Sequence, residues 1–215
     1  NEQITGIMIN IIIPKSAGNM NSHAAYFSLF TISANRFFMI IYYKREENFM
    51  QKYEEKYSHA FGKNDIRGIY GDDITEILFQ NTAIGFVNWL EDQSGIKPAD
   101  MKITVAMDAR LHSPALKTAL INGLTSCGVN VIDLGLVPSP LGYYSEFALD
   151  GVTSAMIITA SHNPSEYNGL KMTFNKMTLN EKQIAEVKEE TYKIFSETPV
   201  AGNSSLVCTY DIVPD

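Results

Sequence analysis

The sequence predicts an α/β fold, a three-layer α/β/α domain with a mixed, mostly parallel sheet. Short apolar segments alternate with amphipathic ones in the order β-α-β-α-β, which is typical of parallel strands joined by right-handed crossovers. Residues 152–158 are apolar and β-branched, which indicates a strand covered on both faces. A second such segment at residues 170–175 returns after a short loop and predicts an antiparallel hairpin within the sheet.

The first helix is predicted over residues 75–92, with Asp72, Asp73 or Thr75 available as its N-cap. Its apolar face recurs at spacings of three and four: Phe79, Ala83, Phe86, Val87 and Leu90. A strand follows at residues 102–107. Ser113 is expected to cap the second helix, with Pro114 at its first position and Gly128 after its end.

The remaining elements lead to the hairpin and the last helix. A strand at residues 129–134 and a helix at 141–149 precede the central strand at 152–158, and Asn168-Gly169 is the predicted turn pair before the hairpin strand. Asn180 and Gln183 have the spacing of a capping box at the start of the last helix. The inward residues of that helix are Ile184, Val187, Thr191, Ile194 and Phe195.

The two ends of the chain differ from this regular pattern. A strand is expected at residues 7–13, residues 24–43 mix Phe, Ile and Tyr without clean periodicity, and residues 44–57 form a charged, helix-like segment. The chain beyond Glu197 is polar and loop-like. The predicted division is an N-terminal extension of unknown role, dispensable to the domain, at residues 1–58, a domain at 59–200, and the start of a linker at 201–215.

Charge is distributed unevenly over the 215 residues, whose net charge is -7. Residues 1–58 hold six Lys and Arg against five Asp and Glu, and the remainder holds eleven against nineteen. An acidic main body argues against a nucleic-acid surface, which needs clustered cations to neutralise phosphates. It still allows a small phosphorylated ligand held by one or two local cations.

The composition also bears on the cellular compartment. Two cysteines, Cys127 and Cys208, are too few for a disulfide framework or a zinc cluster. No apolar run approaches the roughly 20 residues that span a bilayer. The first residues, which include Glu2 and lack a basic leader, do not have the pattern of a signal peptide. We therefore expect a cytoplasmic protein with neither a membrane nor a nucleic acid as partner.

A polar loop, Thr-Ala-Ser-His-Asn-Pro at residues 159–164, follows the central strand directly. Because Pro164 cannot continue a ladder, the loop displays Ser161, His162 and Asn163 on a turn at the carboxyl end of the strand. Open α/β sheets bind their ligands at that edge. Lys171, on the returning strand, is expected near Ser161.

A second candidate segment lies at residues 61–70, where glycines frame the run Asp-Ile-Arg-Gly at 65–68. The glycines let the backbone approach a ligand, and the planar donor fork of Arg67 suits phosphate. Taken alone, Arg67 is more simply interpreted as a surface cation paired with an acid.

These runs resemble a known family. The loop at residues 159–164, followed by Tyr-Asn-Gly-Leu-Lys at 167–171, resembles the phosphoserine loop of the α-D-phosphohexomutases, the phosphoglucomutase and phosphomannomutase superfamily. The run at 65–68 matches its N-terminal signature, residues 108–113 resemble its Asp-Thr-Arg-x-Ser-Ser segment, and residues 135–140 resemble its Gly-x-x-Pro-Thr-Pro turn. Three residues depart from the family pattern: Ala109, His112 and Asn64. At the position of Asn64, phosphomannomutases usually carry Tyr. Asp108 and Arg110 are expected to serve structural roles such as loop pairing.

The resemblance covers residues 61–215 and implies the first of four domains of such an enzyme. In that family a phosphorylated serine donates its phosphoryl group to a hexose phosphate, through a hexose 1,6-bisphosphate that also acts as activator. Ser161 aligns with that serine and Lys171 with the general acid/base. Arg67 and His162 align with groups that contact phosphate or handle protons, and Asn163 is expected to orient the loop. Arg67, Asn163 and Lys171 are the expected phosphate and substrate contacts.

The resemblance also implies Mg²⁺, bound through the phosphate on Ser161 and three aspartates of an Asp-Gly-Asp-Gly-Asp-Arg loop. This chain contains no such run. We therefore expect an N-terminal fragment of a glucose or mannose phosphomutase that is nearly inactive alone. Its partners would be a phosphorylated hexose and the missing C-terminal domains of the same protein.

Two other functions stay open. The first is a non-catalytic phosphosugar-binding module that uses the same serine loop. The second is a hydrolase with Ser161 as nucleophile and His162 as base. The sequence disfavours the hydrolase because it places no third carboxylate and lacks the Gly-x-Ser-x-Gly nucleophile elbow.

Overall fold

The computed structural model describes residue 51 and residues 53–213, which belong to the compact unit Met50–Asp215. The strand expected at residues 7–13, the mixed segment at 24–43 and most of the charged segment at 44–57 lie outside the described residues. Of that last segment, residues 53–57 are helical.

One mixed sheet organises the described chain. Its strands are β1 (Ile66–Ile69), β2 (Lys102–Met107), β3 (Asn130–Leu136), β4 (Ser154–Ile158), β5 (Tyr167–Phe174), β6 (Met177–Thr178) and β7 (Val207–Thr209). The strand order is β1-β5-β4-β2-β3-β7, with β6 paired to β5. Strands β4, β2, β3 and β7 run parallel, whereas β5 is antiparallel to β1, β4 and β6. The mixed sheet and its hairpin strand are thus confirmed.

Four α-helices that lie wholly within the described residues pack on this sheet. They are α1 (Glu76–Ser94), α2 (Ser113–Ser126), α3 (Ser139–Ala148) and α4 (Glu181–Lys193). The Thr75 side chain accepts the Leu78 N–H at the start of α1, and Asn180 and Gln183 form the predicted capping box of α4. Within the described residues, no helix is both long and apolar enough to cross a membrane.

The helices cover both faces of the sheet, as the sequence predicts. Successive strand residues point to opposite faces, so Met156 joins the larger core cluster with α1, α2 and α4, while Ile157 joins a smaller cluster on the other face. Helix α3 packs closely on that second face. The contact leaves no room for a side chain at Gly142, where an added Cβ would lie 2.7 Å from Cγ1 of Ile157. The three-layer α/β/α fold is confirmed.

The predicted turn at Asn168-Gly169 is wrong, because both residues belong to β5. Gly169 lies opposite Arg67 on β1, and a Cβ there would come 2.2 Å from the carbonyl oxygen of Ile66. Glycine is required at this point by close strand contact. The chain reverses earlier, where the Tyr167 N–H donates to the Pro164 carbonyl.

The structure also shows how α2 begins and what residues 201–215 contain. Ser113 is the first residue of α2 and does not cap it; its hydroxyl donates to Asp108 Oδ1 at 2.7 Å. The segment expected to be a linker, residues 201–215, contains β7, whose short run pairs with β3 at the sheet edge. A three-residue edge strand has too little periodicity to be recognised from sequence.

Two tyrosines that precede the expected domain boundary, between residues 58 and 59, lie in the core. Tyr53 and Tyr57 are only 2% and 3% exposed. Their rings stack on Phe195, with centroids 4.2 and 5.5 Å away. These two tyrosines are therefore packed as part of the domain that follows them.

Candidate active site

The serine loop leaves the carboxyl end of β4 and presents Ser161 to solvent. Ser161 has a φ of 53°, in the left-handed region that side chains other than glycine seldom adopt. Its N–H donates to Thr159 Oγ1 at 3.0 Å, which supports this backbone conformation. Unusual backbone angles are common where a side chain must be held in one orientation for function.

Arg110 holds the serine loop through its main-chain carbonyls. Its guanidinium donates to the carbonyls of Asn163 at 2.7 Å, Pro164 at 2.5 Å and Tyr167 at 3.0 Å, with the Ser161 carbonyl 3.4 Å away. A planar fork with several fixed donors can satisfy many carbonyls at once, whereas a lysine cannot. The loop-pairing role predicted for Arg110 is observed.

Asp108 in turn orients Arg110. Its Oδ2 accepts a hydrogen bond from Nε of Arg110 at 3.1 Å. Burial opposes the charged carboxylate, but hydrogen bonds from Ser113, the Arg110 main chain and Thr159 outweigh it, so the pKa of Asp108 is lowered. Asp108 therefore stays ionised and keeps Arg110 in place.

Arg67, on β1, also contacts the serine loop. Its Nη1 donates to Asn163 Oδ1 at 3.2 Å, and its Nη2 lies 3.5 Å from Ser161 Oγ. Its Nε is buried and finds no hydrogen-bond partner within the described chain. The structure thus brings Arg67, Ser161 and Asn163 together as the sequence predicts. The Nε–H of Arg67 remains an unused hydrogen-bond donor among the described residues.

Asp65 links Lys171 to this group. Its Oδ2 accepts from Nη2 of Arg67 at 2.5 Å and from Nζ of Lys171 at 2.6 Å. Burial, with a smaller effect of the Asp65 charge, raises the pKa of the Tyr143 phenol on α3. Lys171 is therefore connected to the serine loop through Asp65 and Arg67, and the three charged side chains carry a net charge of +1.

His162 is not part of this network. Its side chain is exposed and has no hydrogen bond or ion pair with any described residue. The Ser161 hydroxyl has Arg67 as its neighbour and no histidine as a base. The nucleophile–base pair required by the hydrolase hypothesis is not formed.

A cleft of about 740 Å³ opens beside the loop, on the Arg110 side. Its lining includes Tyr70, Arg110, His112 and Glu166 but none of Ser161, Arg67 and Lys171. The His112 ring stacks on Tyr70, and its two nitrogens meet Asn168 Nδ2 and the Ser165 carbonyl at 2.7 and 3.1 Å. Because these polar groups are already paired, we locate the reactive centre at the open serine loop.

The described residues do not form a metal site on their own. No three His, Cys, Asp or Glu side chains between residues 53 and 213 are grouped so that they could hold an ion. A phosphate on Ser161 could add a metal ligand at the serine loop. The expected Mg²⁺ is thus not accounted for by these residues.

Comparison with known proteins decides the family. The sequence model of "Phosphoglucomutase/phosphomannomutase, alpha/beta/alpha domain I" matches residues 58–198. The chain belongs to the phosphoglucomutase/phosphomannomutase family. The matched segment is the first domain of that family, and it contains the serine loop, Arg67 and Lys171.

Several members of this family are similar to the chain. A phosphomannomutase/phosphoglucomutase of Pseudomonas aeruginosa is 35% identical over 154 residues, which cover 72% of this chain and 31% of the relative. A phosphoglucosamine mutase of Alkaliphilus metalliredigens is 36% identical over 138 residues, covering 64% of this chain and 29% of the relative. The crystal structure of a family protein from Burkholderia thailandensis superposes with a TM-score of 0.60 at 32% identity, covering 71% and 33% of the two chains. The chain thus spans about a third of the length of the curated relatives that it matches.

Sequence reasoning overlooked Asp65 as a site residue. Asp65 and Arg67 are two residues apart in an extended segment, and residues at that spacing share a face. This spacing could have indicated that Asp65 lies beside Arg67 at the site. The contact with Lys171 could not be read in the same way, because 106 positions separate it from Asp65.

Proposed function

We propose that this chain supplies the phosphoserine domain of a phosphohexomutase that interconverts hexose 1-phosphate and hexose 6-phosphate, with glucose or mannose as the sugar. The observation that carries the proposal is the exposed Ser161 hydroxyl, held 3.5 Å from a guanidinium nitrogen of Arg67 on a loop secured by Arg110. Phosphoryl transfer depends mainly on positioning and on neutralising the charge of the moving group. The serine loop has both features.

In the proposed reaction, the bond between phosphorus and Ser161 Oγ breaks as a sugar hydroxyl oxygen forms its own bond to that phosphorus. We assign Lys171, a cation beside Asp65, as the general acid/base: it donates a proton to Ser161 Oγ as that oxygen departs and takes up the proton of the sugar hydroxyl. The resulting hexose 1,6-bisphosphate reorients and returns its other phosphoryl group to Ser161, whose hydroxyl loses its proton as the departing sugar oxygen regains one. Arg67 neutralises phosphate charge in both directions.

The remaining predicted residues have supporting roles in this proposal. Asn163 orients the loop through its bond to Arg67. His162, exposed beside Ser161, contacts the phosphate or handles a proton. Mg²⁺ would further neutralise phosphate charge when bound, with Ser161 contributing a ligand through its phosphate. Because the described residues do not complete a metal site, no step above is assigned to the ion.

The test is a chimera in which residues 50–215 replace the aligned segment of the Pseudomonas aeruginosa relative. We expect turnover of glucose 1-phosphate or mannose 1-phosphate, and phosphate on Ser161 in peptide mass analysis after treatment with hexose 1,6-bisphosphate. Ser161→Ala should abolish both. Ser165→Ala is the matched control, because Ser165 is an exposed serine directly after the serine loop, and among the described residues its hydroxyl donates only to Glu166.

Two results would redirect the proposal. Phosphate on a residue other than Ser161 would contradict the assignment of the nucleophile. A folded chimera that binds phosphosugar without turning it over would favour the non-catalytic binding module.

A further inference from the structure

One carboxylate oxygen of Asp65 is shared by two cations at the serine loop. Nη2 of Arg67 is 2.5 Å and Nζ of Lys171 is 2.6 Å from Oδ2. The side chains of Asp65, Arg67 and Lys171 are 18%, 27% and 20% exposed, so water screens the group only in part. Without Asp65, two positive charges would face each other with no compensating anion.

We propose that Asp65 is an internal counter-ion, which holds Arg67 and Lys171 while the site has no phosphate and gives up Arg67 when a phosphate group is present beside Ser161. This inference rests on the proposed function, because that function makes phosphate the ligand of the site. It adds a role for a residue that the transfer reaction itself does not require.

The donors of Arg67 show why phosphate can replace Asp65. Arg67 has only a 3.2 Å bond to Asn163, the contact with Asp65 and a 3.5 Å approach to Ser161, and its buried Nε has no partner among the described residues. A phosphate group carries more charge than a carboxylate and can accept from two guanidinium nitrogens at once. It can therefore use donor capacity that Asp65 leaves free.

Competition of this kind has two measurable consequences. Asp65 weakens the binding of any phosphate, because the incoming group must displace it from Arg67. Asp65 also stabilises the phosphate-free protein by separating two like charges. Removing its charge should thus tighten phosphate binding while making the folded state depend more strongly on phosphate.

The experiment uses the 215-residue chain with inorganic phosphate as the probe, at constant ionic strength set with chloride. Binding is followed through the Nε–H resonance of Arg67, and stability through the melting temperature with and without phosphate. Asp65→Asn should bind phosphate about tenfold more tightly than wild type, a difference of about 1.4 kcal/mol. Phosphate should also raise its melting temperature by more than that of wild type.

Asp133→Asn is the matched control. Asp133 pairs with Lys117 at 2.6 Å, and the two side chains are 15% and 17% exposed, close to the values for Asp65 and Lys171. This substitution removes the same charge from a similar pair on β3, away from the serine loop. It should leave phosphate affinity within about twofold of wild type, because only long-range electrostatics change.

Each outcome bears on the proposal. Equal, measurable affinity in wild type and Asp65→Asn would overturn the counter-ion role and leave the phosphoserine function intact, since phosphate on Ser161 in the chimera is measured separately. No binding in any variant would overturn the inference and would also count against a phosphate site at Arg67. If Asp65→Asn does not fold in chloride, Asp65→Ala replaces it, and failure of both to fold in phosphate would overturn the proposal.

Discussion

The guanidinium of Arg110 donates a 2.7 Å hydrogen bond to the main-chain carbonyl of Asn163. This bond joins the loop after β2 to the loop after β4, so the position of Ser161 depends on a residue about fifty positions earlier in the chain. The two loops lie at the carboxyl ends of neighbouring parallel strands. The serine loop is therefore supported by the sheet and not only by its own turn.

Arg110→Lys should loosen the serine loop. Lysine retains a cation beside Asp108 but cannot reach the carbonyls of Asn163, Pro164 and Tyr167 together. We expect a loss of about 2–4 kcal/mol in the free energy of unfolding, because several charge-assisted hydrogen bonds are removed. Urea unfolding of the variant and of wild type measures this loss. Arg67→Lys is the matched control, with a smaller expected loss because Arg67 contacts side chains; equal losses would contradict the supporting role of Arg110.

Lys171→Met should impair transfer more than folding in the chimera. Methionine keeps the aliphatic length and removes both charge and proton, and general acid/base groups typically contribute about 10²- to 10⁴-fold in rate. Arg67 remains to pair with Asp65, so we expect a stability loss of only about 1 kcal/mol. Turnover and a melting curve are measured on the same variant.

Lys117→Met is the control for that substitution, because Lys117 forms a similar pair with Asp133. It should lose at least as much stability, because Asp133 has no second cation among the described residues, and it should keep its turnover. If Lys171→Met retains turnover within a few-fold of the parent chimera, Lys171 has no part in the mechanism.

Removal of residues 1–58 should destabilise the domain, whereas removal of residues 1–49 should not. The longer deletion takes away Tyr53 and Tyr57, which stack on Phe195 in the core. Loss of a buried aromatic side chain costs about 3–5 kcal/mol, so we expect a clearly lower melting temperature for residues 59–215 than for residues 50–215. Similar melting temperatures for the two would restore the boundary expected from sequence.

Glu146→Gln should flatten the dependence of stability on pH. Glu146, on α3, is 5% exposed, and burial raises its pKa above the ordinary 4.5 although Thr173 and main-chain N–H groups donate to it. The folded state therefore binds this proton more tightly than the unfolded chain does. The resulting stabilisation is complete below pH 4.5 and is lost as the pH rises through the folded pKa.

Glutamine resembles the protonated acid and does not titrate, so Glu146→Gln should lose less stability than wild type between about pH 4 and pH 8. Urea unfolding across that range is the measurement. Glu189→Gln, at an exposed position on α4, should keep the wild-type slope. A wild-type slope in Glu146→Gln would mean that this buried carboxyl contributes nothing to the pH dependence.

Local sequence was sufficient for most elements and for the choice of candidate residues. The caps at Thr75 and Asn180 act within one turn, and the apolar period of α1 is visible in any short window, so these predictions are confirmed. Ser161, Asn163 and Arg67 were identified from two short runs, and the structure brings them together. At Gly169 the turn prediction fails because a neighbour distant in sequence decides the outcome: close contact with β1 leaves no room for a side chain.

The amino-acid order alone determined the α/β alternation, the family and the serine in the loop after the central strand, because each depends on residue types at short, regular spacing. Only the tertiary structure decided which groups meet that serine. Asp65 touches Lys171 because β1 and β5 are paired, and Arg110 reaches the serine loop because β2 and β4 are neighbours. Strand pairing follows from burial of the whole apolar set against both helical layers, which no local window of the sequence contains.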